Sequence, residues 1–229
     1  MKADRAPKTV VRRILNAIII VFYVCVIAGA LLGPRDGNSE GHYVIQSALM
    51  QTSRTIGLCL NQYAADNDGH YPEVKSSTEI FQKLLDGKYV TDPRIFYFSY
   101  LKIPGKAPPQ SNQLKPENVC WDVTCCVDST APDVPPLVFV TGYKINYKAG
   151  ASAVPLKATP SNMSPSWSDW WHGIQNKTPF VFFAVTYKND SAQALKVSPD
   201  GSIPNFIPAD FEPKGKVYRQ LTPDGELPP

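Results

Sequence analysis

Residues 42–72 read HYVIQSALMQTSRTIGLCLNQYAADNDGHYP. Within them Ile45, Ala48, Leu49, Ile56, Leu60 and Tyr63 recur at spacings of three, four and seven, the period of an α-helix with one apolar stripe. Gln46, Gln51, Arg54, Asn61 and Asp66 fall on other faces. Gly57 inside the pattern costs about 1 kcal/mol against alanine, which points to a close packing contact. Asp66-Asn67-Asp68-Gly69 favours a left-handed cap, and Pro72 bars continuation, so the helix is expected to end there.

Downstream, Ser76-Ser77-Thr78-Glu79 forms a capping box, with Ser76 as N-cap and Glu79 three residues on. Ile80, Phe81, Leu84 and Leu85 then give the apolar face of a short helix that closes near Gly87. After it the period changes. Segments 94–100, 137–147 and 180–187 are rich in β-branched and aromatic residues and are expected as strands. Segments 194–197 and 202–206 flank Ser198-Pro199-Asp200-Gly201, in which proline presets φ and glycine accepts a positive one, so a hairpin is expected. Helices followed by strands imply an α+β domain whose antiparallel sheet packs on the long amphipathic helix.

Upstream, residues 14–32 read ILNAIIIVFYVCVIAGALL, and only Asn16 is strongly polar. As a helix that stretch would reach roughly 28 Å, near the thickness of a bilayer's hydrocarbon core. Lys2, Arg5, Lys8, Arg12 and Arg13 precede it, so the positive-inside bias places residues 1–13 in the cytoplasm and the remainder outside. Ala28-Gly29-Ala30 also fits a cleaved secretory signal ending after Ala30. Retained anchor and cleaved signal both export the C-terminal part. The expected organisation is a basic head (1–13), an N-terminal transmembrane helix (14–32), a breaker-rich linker (33–41) and an exported α+β domain (42–229). The formal net charge is +3, and the five basic residues of the head account for all of that excess. A nucleic-acid partner is therefore disfavoured, since phosphate binding needs a concentrated cationic surface.

This order, with Ile56-Gly57-Leu58-Cys59-Leu60-Asn61-Gln62-Tyr63-Ala64-Ala65-Asp66-Asn67-Asp68-Gly69-His70-Tyr71-Pro72 closing the helix, resembles the bacterial type IV pilin-like proteins and the pseudopilins of type II secretion. Phe81-Gln82-Lys83-Leu84-Leu85, Ile95-Phe96-Tyr97 and Val197-Ser198-Pro199-Asp200-Gly201-Ser202 add to the likeness, which runs in order from residue 14 to 206. The sequence departs from the family at its start: no glycine precedes the apolar stretch and no acidic residue lies within it, so a clear prepilin peptidase site is lacking. The resemblance implies a pilin-like fold and a membrane-anchored structural or interaction protein of the bacterial envelope, tied to a secretion or filament system. It implies a single-pass inner-membrane protein with its C-terminal domain in the periplasm. The lipid bilayer and other pilin-like subunits or secretion-system proteins are the implied partners.

The residues offer little catalytic chemistry. His42, His70 and His172 form no HExxH pair, and no G-x-S-x-G elbow, Walker loop or dinucleotide glycine pattern is present, so no enzyme is expected. Asp66 and Asp68, with Glu73, are weak candidates for calcium, because too few regularly spaced carboxylates accompany them; a helix-ending turn explains them as well, and no cofactor is expected. Cys59, Cys120, Cys125 and Cys126 lie in the exported part, where an oxidising space favours disulfides such as Cys120 with Cys125 or Cys126. A zinc site is the rival, but no C-x-x-C pair or nearby histidine supports it. Trp167, Trp170, Trp171 and His172 mark a second possible role, a membrane-tethered module whose loop stacks on a ligand or glycan; the plainer reading is a lid over the sheet.

Overall fold

The computed structural model describes residues 37–227, except 102, 104, 128–130, 132–133, 157–181 and 199–200. The chain divides into two compact units, Met1–Gly41 and His42–Pro229. Of the first, only the opening residues of helix α1 are described. The second holds the rest of that helix and every described strand.

Helix α1 spans Gly37–Asp66. Its buried line is Leu49, Ser53, Ile56, Gly57, Leu60 and Ala64, a mixture of aliphatic and small residues. The helix ends as Asp68 and Gly69 turn to positive φ (55° and 83°) and the Gly69 amide donates to the Ala64 carbonyl at 2.8 Å. Helix α2, Ser77–Asp86, starts at the capping box: the Glu79 amide donates to Ser76 Oγ at 3.2 Å, and Glu79 Oε2 accepts from the Lys75 amide at 3.0 Å. Ser77 Oγ donates to the Trp121 carbonyl and Thr78 Oγ1 to the Pro223 carbonyl, which ties the first turn of α2 to the sheet.

The strands are β1 Trp121–Cys125, β2 Pro136–Val140, β3 Tyr143–Ile145, β4 Ala153–Pro155, β5 Phe182–Tyr187, β6 Ala192–Lys196, β7 Arg219–Thr222 and β8 Gly225–Glu226. Six form one sheet in the order β6-β5-β2-β1-β7-β8, and β3 and β4 pair separately. All pairings are antiparallel. Alternation along the strands separates two faces. Trp121, Val123, Val138, Thr186 and Leu221 share the face that receives the helices, while Asp122, Thr124, Phe139, Val185 and Gln220 share the other. On that second face Phe183 meets Phe206 edge-on at 5.1 Å and Tyr143 at 4.9 Å, contacts each contributing about 1 kcal/mol beyond their area.

The helix face has one tight seam. A Cβ placed on Gly57 would lie 2.7 Å from Thr186 Cγ2, so only glycine lets α1 settle on β5 at this depth. One turn earlier, Thr186 Oγ1 donates to Ser53 Oγ at 3.0 Å, both residues being fully buried. Asn61 fixes the far end, donating to the Lys188 carbonyl at 3.2 Å and to Asp190 Oδ1 at 2.5 Å while accepting from the Tyr71 hydroxyl.

The expected fold class is corrected by this architecture. A transmembrane helix leading into a pilin-like α+β domain is not what the described residues form: they hold two α-helices and an antiparallel sheet of six strands, and neither helix is long and apolar enough to cross a membrane. α1 has the length but carries Gln46, Gln51, Arg54, Asn61 and Asp66 around its circumference. The apolar stretch 14–32 lies outside the described residues. Within 33–41, expected as a linker, α1 already begins at Gly37. Segment 94–100 is not a strand but two 3-10 turns, Pro93–Phe96 and Ser99–Leu101, because Pro93 and the Asp92 cap tighten the backbone there. Segment 202–206 forms no hairpin strand with 194–197; β6 pairs with β5, and Ile203 bridges Ala153 instead.

Candidate functional site

The outer face of α1 is built by the same periodicity that buries its inner face. Opposite the seam, Val44, Ala48, Gln51, Thr55, Leu58 and Gln62 are exposed, with Val44 at 68% and Leu58 at 46% of full exposure. Among exposed residues from Val44 to Gln62, Arg54 alone is charged. Thr55 turns its hydroxyl back onto the Gln51 carbonyl at 2.9 Å, and Thr52 does the same to Ala48 at 2.8 Å, which leaves methyl groups outward. Val44 and Leu58 sit four turns apart, about 21 Å along the axis. The strip carries no charge and holds two large exposed apolar side chains, Val44 and Leu58; depletion of charge is one trait of an interface core.

A second cluster is buried between the sheet's other face and β3. Asp122 is fully buried; Gln220 Nε2 donates to its Oδ2 at 2.7 Å and to the Tyr143 carbonyl at 2.5 Å, and Gln220 Oε1 accepts from the Ile145 amide at 3.1 Å. Burial pushes the Asp122 acid up to about 7, against the pull of hydrogen bonds from Thr141 and Gln220 and of the Lys106 ammonium. Its Oδ1 has no partner of good geometry among the described residues. Beside it, Thr124 Oγ1 donates to the Pro136 carbonyl and meets the Tyr147 hydroxyl at 2.9 Å, and burial raises that phenol too. Gln220 is the keystone, joining β7, β1 and β3 through one amide. Sequence reading missed the cluster, since Asp122 lies in a stretch noticed only for its cysteines and Gln220 follows no motif.

The four cysteines among the described residues are thiols. Cys59 lies half-buried on α1 and donates to the Tyr89 carbonyl at 3.4 Å; burial raises its thiol. Cys120 is buried just before β1, and burial raises it as well. It and Cys125 stand at opposite ends of an extended strand, about 16 Å apart by strand rise, far beyond the span of a disulfide. Cys125 and Cys126 are neighbours, with Sγ atoms 3.2 Å apart.

Asp66, Asp68 and Glu73 are exposed around the end of α1, and among the described residues no group of three or more His, Cys, Asp or Glu is placed to hold a metal ion. Trp167, Trp170, Trp171 and His172 lie outside the described residues. A depression of about 420 Å³ on the β3–β4 pair is lined by Lys144, Asn146, Ser152, Val154, Pro155 and Leu156, with one charged group and no nucleophile paired to a base. In comparison with known proteins, the chain matches no family model, no curated protein and no solved structure.

Proposed function

We propose that this chain is a structural or interaction protein of the bacterial envelope, its domain displayed outside the cytoplasm and docked onto subunits of a secretion or filament system through the outer face of α1. The observation that carries the reading is the exposed line Val44, Ala48, Gln51, Thr55, Leu58 and Gln62, which holds no charge although Arg54 lies beside it, on a helix that the Gly57 seam sets against the sheet. A rigid platform loses little freedom on docking, so a modest apolar strip is enough to give specific contact. The apolar stretch 14–32 behind its basic head supports export, and the helix-end residues 56–72 support the kinship with envelope assembly proteins. Such a role requires no cofactor.

Two measurements test it. A reporter enzyme active only outside the cytoplasm, fused after residue 229, is expected to be active; activity only from a cytosolic reporter would overturn the export reading. Photocrosslinkers at Leu58 and Val44 in cells of the native host are expected to capture envelope proteins, whereas one at exposed Lys83 on α2 is not. Equal capture at all three positions would remove α1 as the docking face.

A further inference from the structure

The end of β1 carries an arrangement that docking through α1 leaves unused. Cys125 is the last residue of the strand and Cys126 turns out of it at φ 65°, a left-handed conformation that side chains other than glycine's adopt at a cost. That turn brings the two Sγ atoms to 3.2 Å, although successive side chains on a strand point to opposite faces. Cys126 is exposed and Cys125 half-buried. Across the ladder, Cys125 pairs with Arg219, whose Nη2 donates to Cys126 Sγ at 3.4 Å while its Nη1 holds both oxygens of Glu226 at 3.0 and 2.9 Å. The carboxylate holds the guanidinium in place, and the guanidinium offers a thiolate at Cys126 a positive partner.

We propose that Cys125 and Cys126 are a thiol–disulfide exchange site that takes small or protein disulfides as its substrate class. Cys126, as thiolate, attacks one sulfur of the substrate RSSR; the Cys126–S bond forms, the S–S bond breaks, and RS⁻ leaves. Cys125 then loses its proton to water and attacks Cys126 Sγ, closing the vicinal disulfide and releasing the second RS⁻. The two thiols are oxidised by two electrons, RSSR is reduced to two thiols, and the two protons released by the cysteines are those the leaving thiolates take up. Burial and the neighbouring sulfur push the Cys125 thiol up to about 12, which makes it the slower, resolving partner and leaves attack to the exposed one. Adjacent Cα atoms stand about 3.8 Å apart, closer than the usual span of a disulfide, so the closed ring is strained and readily reduced again. The site is suited to reversible exchange rather than to permanent bracing.

The test uses the purified full-length chain equilibrated in glutathione buffers of graded oxidised-to-reduced ratio, quenched with an alkylating agent and mapped by mass spectrometry. The expected result is loss of two hydrogens confined to the peptide holding Cys125 and Cys126, reversed by reduced glutathione, with Cys25, Cys59 and Cys120 still alkylated. The Cys125→Ser chain should stop at a glutathione adduct on Cys126, and Arg219→Ala should slow adduct formation about two- to fivefold, the range for an exposed ionic contact. Both cysteines alkylated at every ratio, or oxidation that joins two chains instead, would overturn the proposal. Because the measurement is made on purified protein, it stands or falls separately from the export and docking readings.

Discussion

Replacing Asp122 by asparagine keeps the shape of the side chain and the Gln220 contact while removing the buried charge. The new amide nitrogen takes the position of Oδ1, the oxygen without a partner of good geometry among the described residues. In the native protein the acid is pushed up to about 7 from an ordinary 3.8. A folded value above the unfolded one means that the native state holds more protons through that window. Stability therefore falls as pH rises from about 4 to about 7 and stays low above it. About 3 pH units at about 1.36 kcal/mol each set a ceiling of about 4 kcal/mol. Relaxation and water entry around an ionised interior group reduce this to about 2 kcal/mol. Urea unfolding of the wild-type and D122N chains from pH 4 to pH 8 is the assay, and the difference between the two proteins cancels the carboxylates common to both. The variant should be the more stable at pH 8 by about 2–4 kcal/mol, with the gap closing toward pH 4. Parallel pH profiles would refute the reasoning, because they would mean that Asp122 is not forced to ionise in a dry site.

Three further outcomes are expected. Gly57→Ala should destabilise the domain by about 1–3 kcal/mol despite alanine's better helix propensity, because its methyl meets Thr186; adding Thr186→Ser should recover part of the loss in chemical denaturation. Ser76→Ala removes the acceptor for the Glu79 amide and should cost about 1 kcal/mol by the same measurement. Leu58→Lys, at an exposed position on α1, should leave stability within about 0.5 kcal/mol while reducing crosslinking from Val44 to envelope proteins in cells.

Local signals in the sequence carried well where the physics is local. The Ser76–Glu79 box, the Asn67-Asp68-Gly69 stop and the apolar spacing of α1 all depend on residues within a turn or two of one another. Gly57 could be marked as a close approach, but its partner Thr186 lies far along the chain and could not be named. β1 was not seen at all. Its residues Trp121, Asp122, Val123 and Thr124 are buried on both faces, so the polar–apolar alternation that betrays a half-exposed strand is replaced by a hidden carboxylate and hydroxyl. β7 and β8 were missed for the opposite reason, being too short to show a period. The vicinal thiols were visible as letters, but the strand that separates Cys120 from them was not, and without it the pairing could not be read.

Strand β7 has a consequence for the order in which the protein is made. It lies beside β1, so Asp122 waits for a partner 98 residues further on. Until a ribosome has delivered residues 219–226, β1 has an unzipped edge and its carboxylate has no amide to meet. Contacts this far apart in sequence form later than local ones, so the β7 edge of the sheet is the last to close, after the β2, β5 and β6 side.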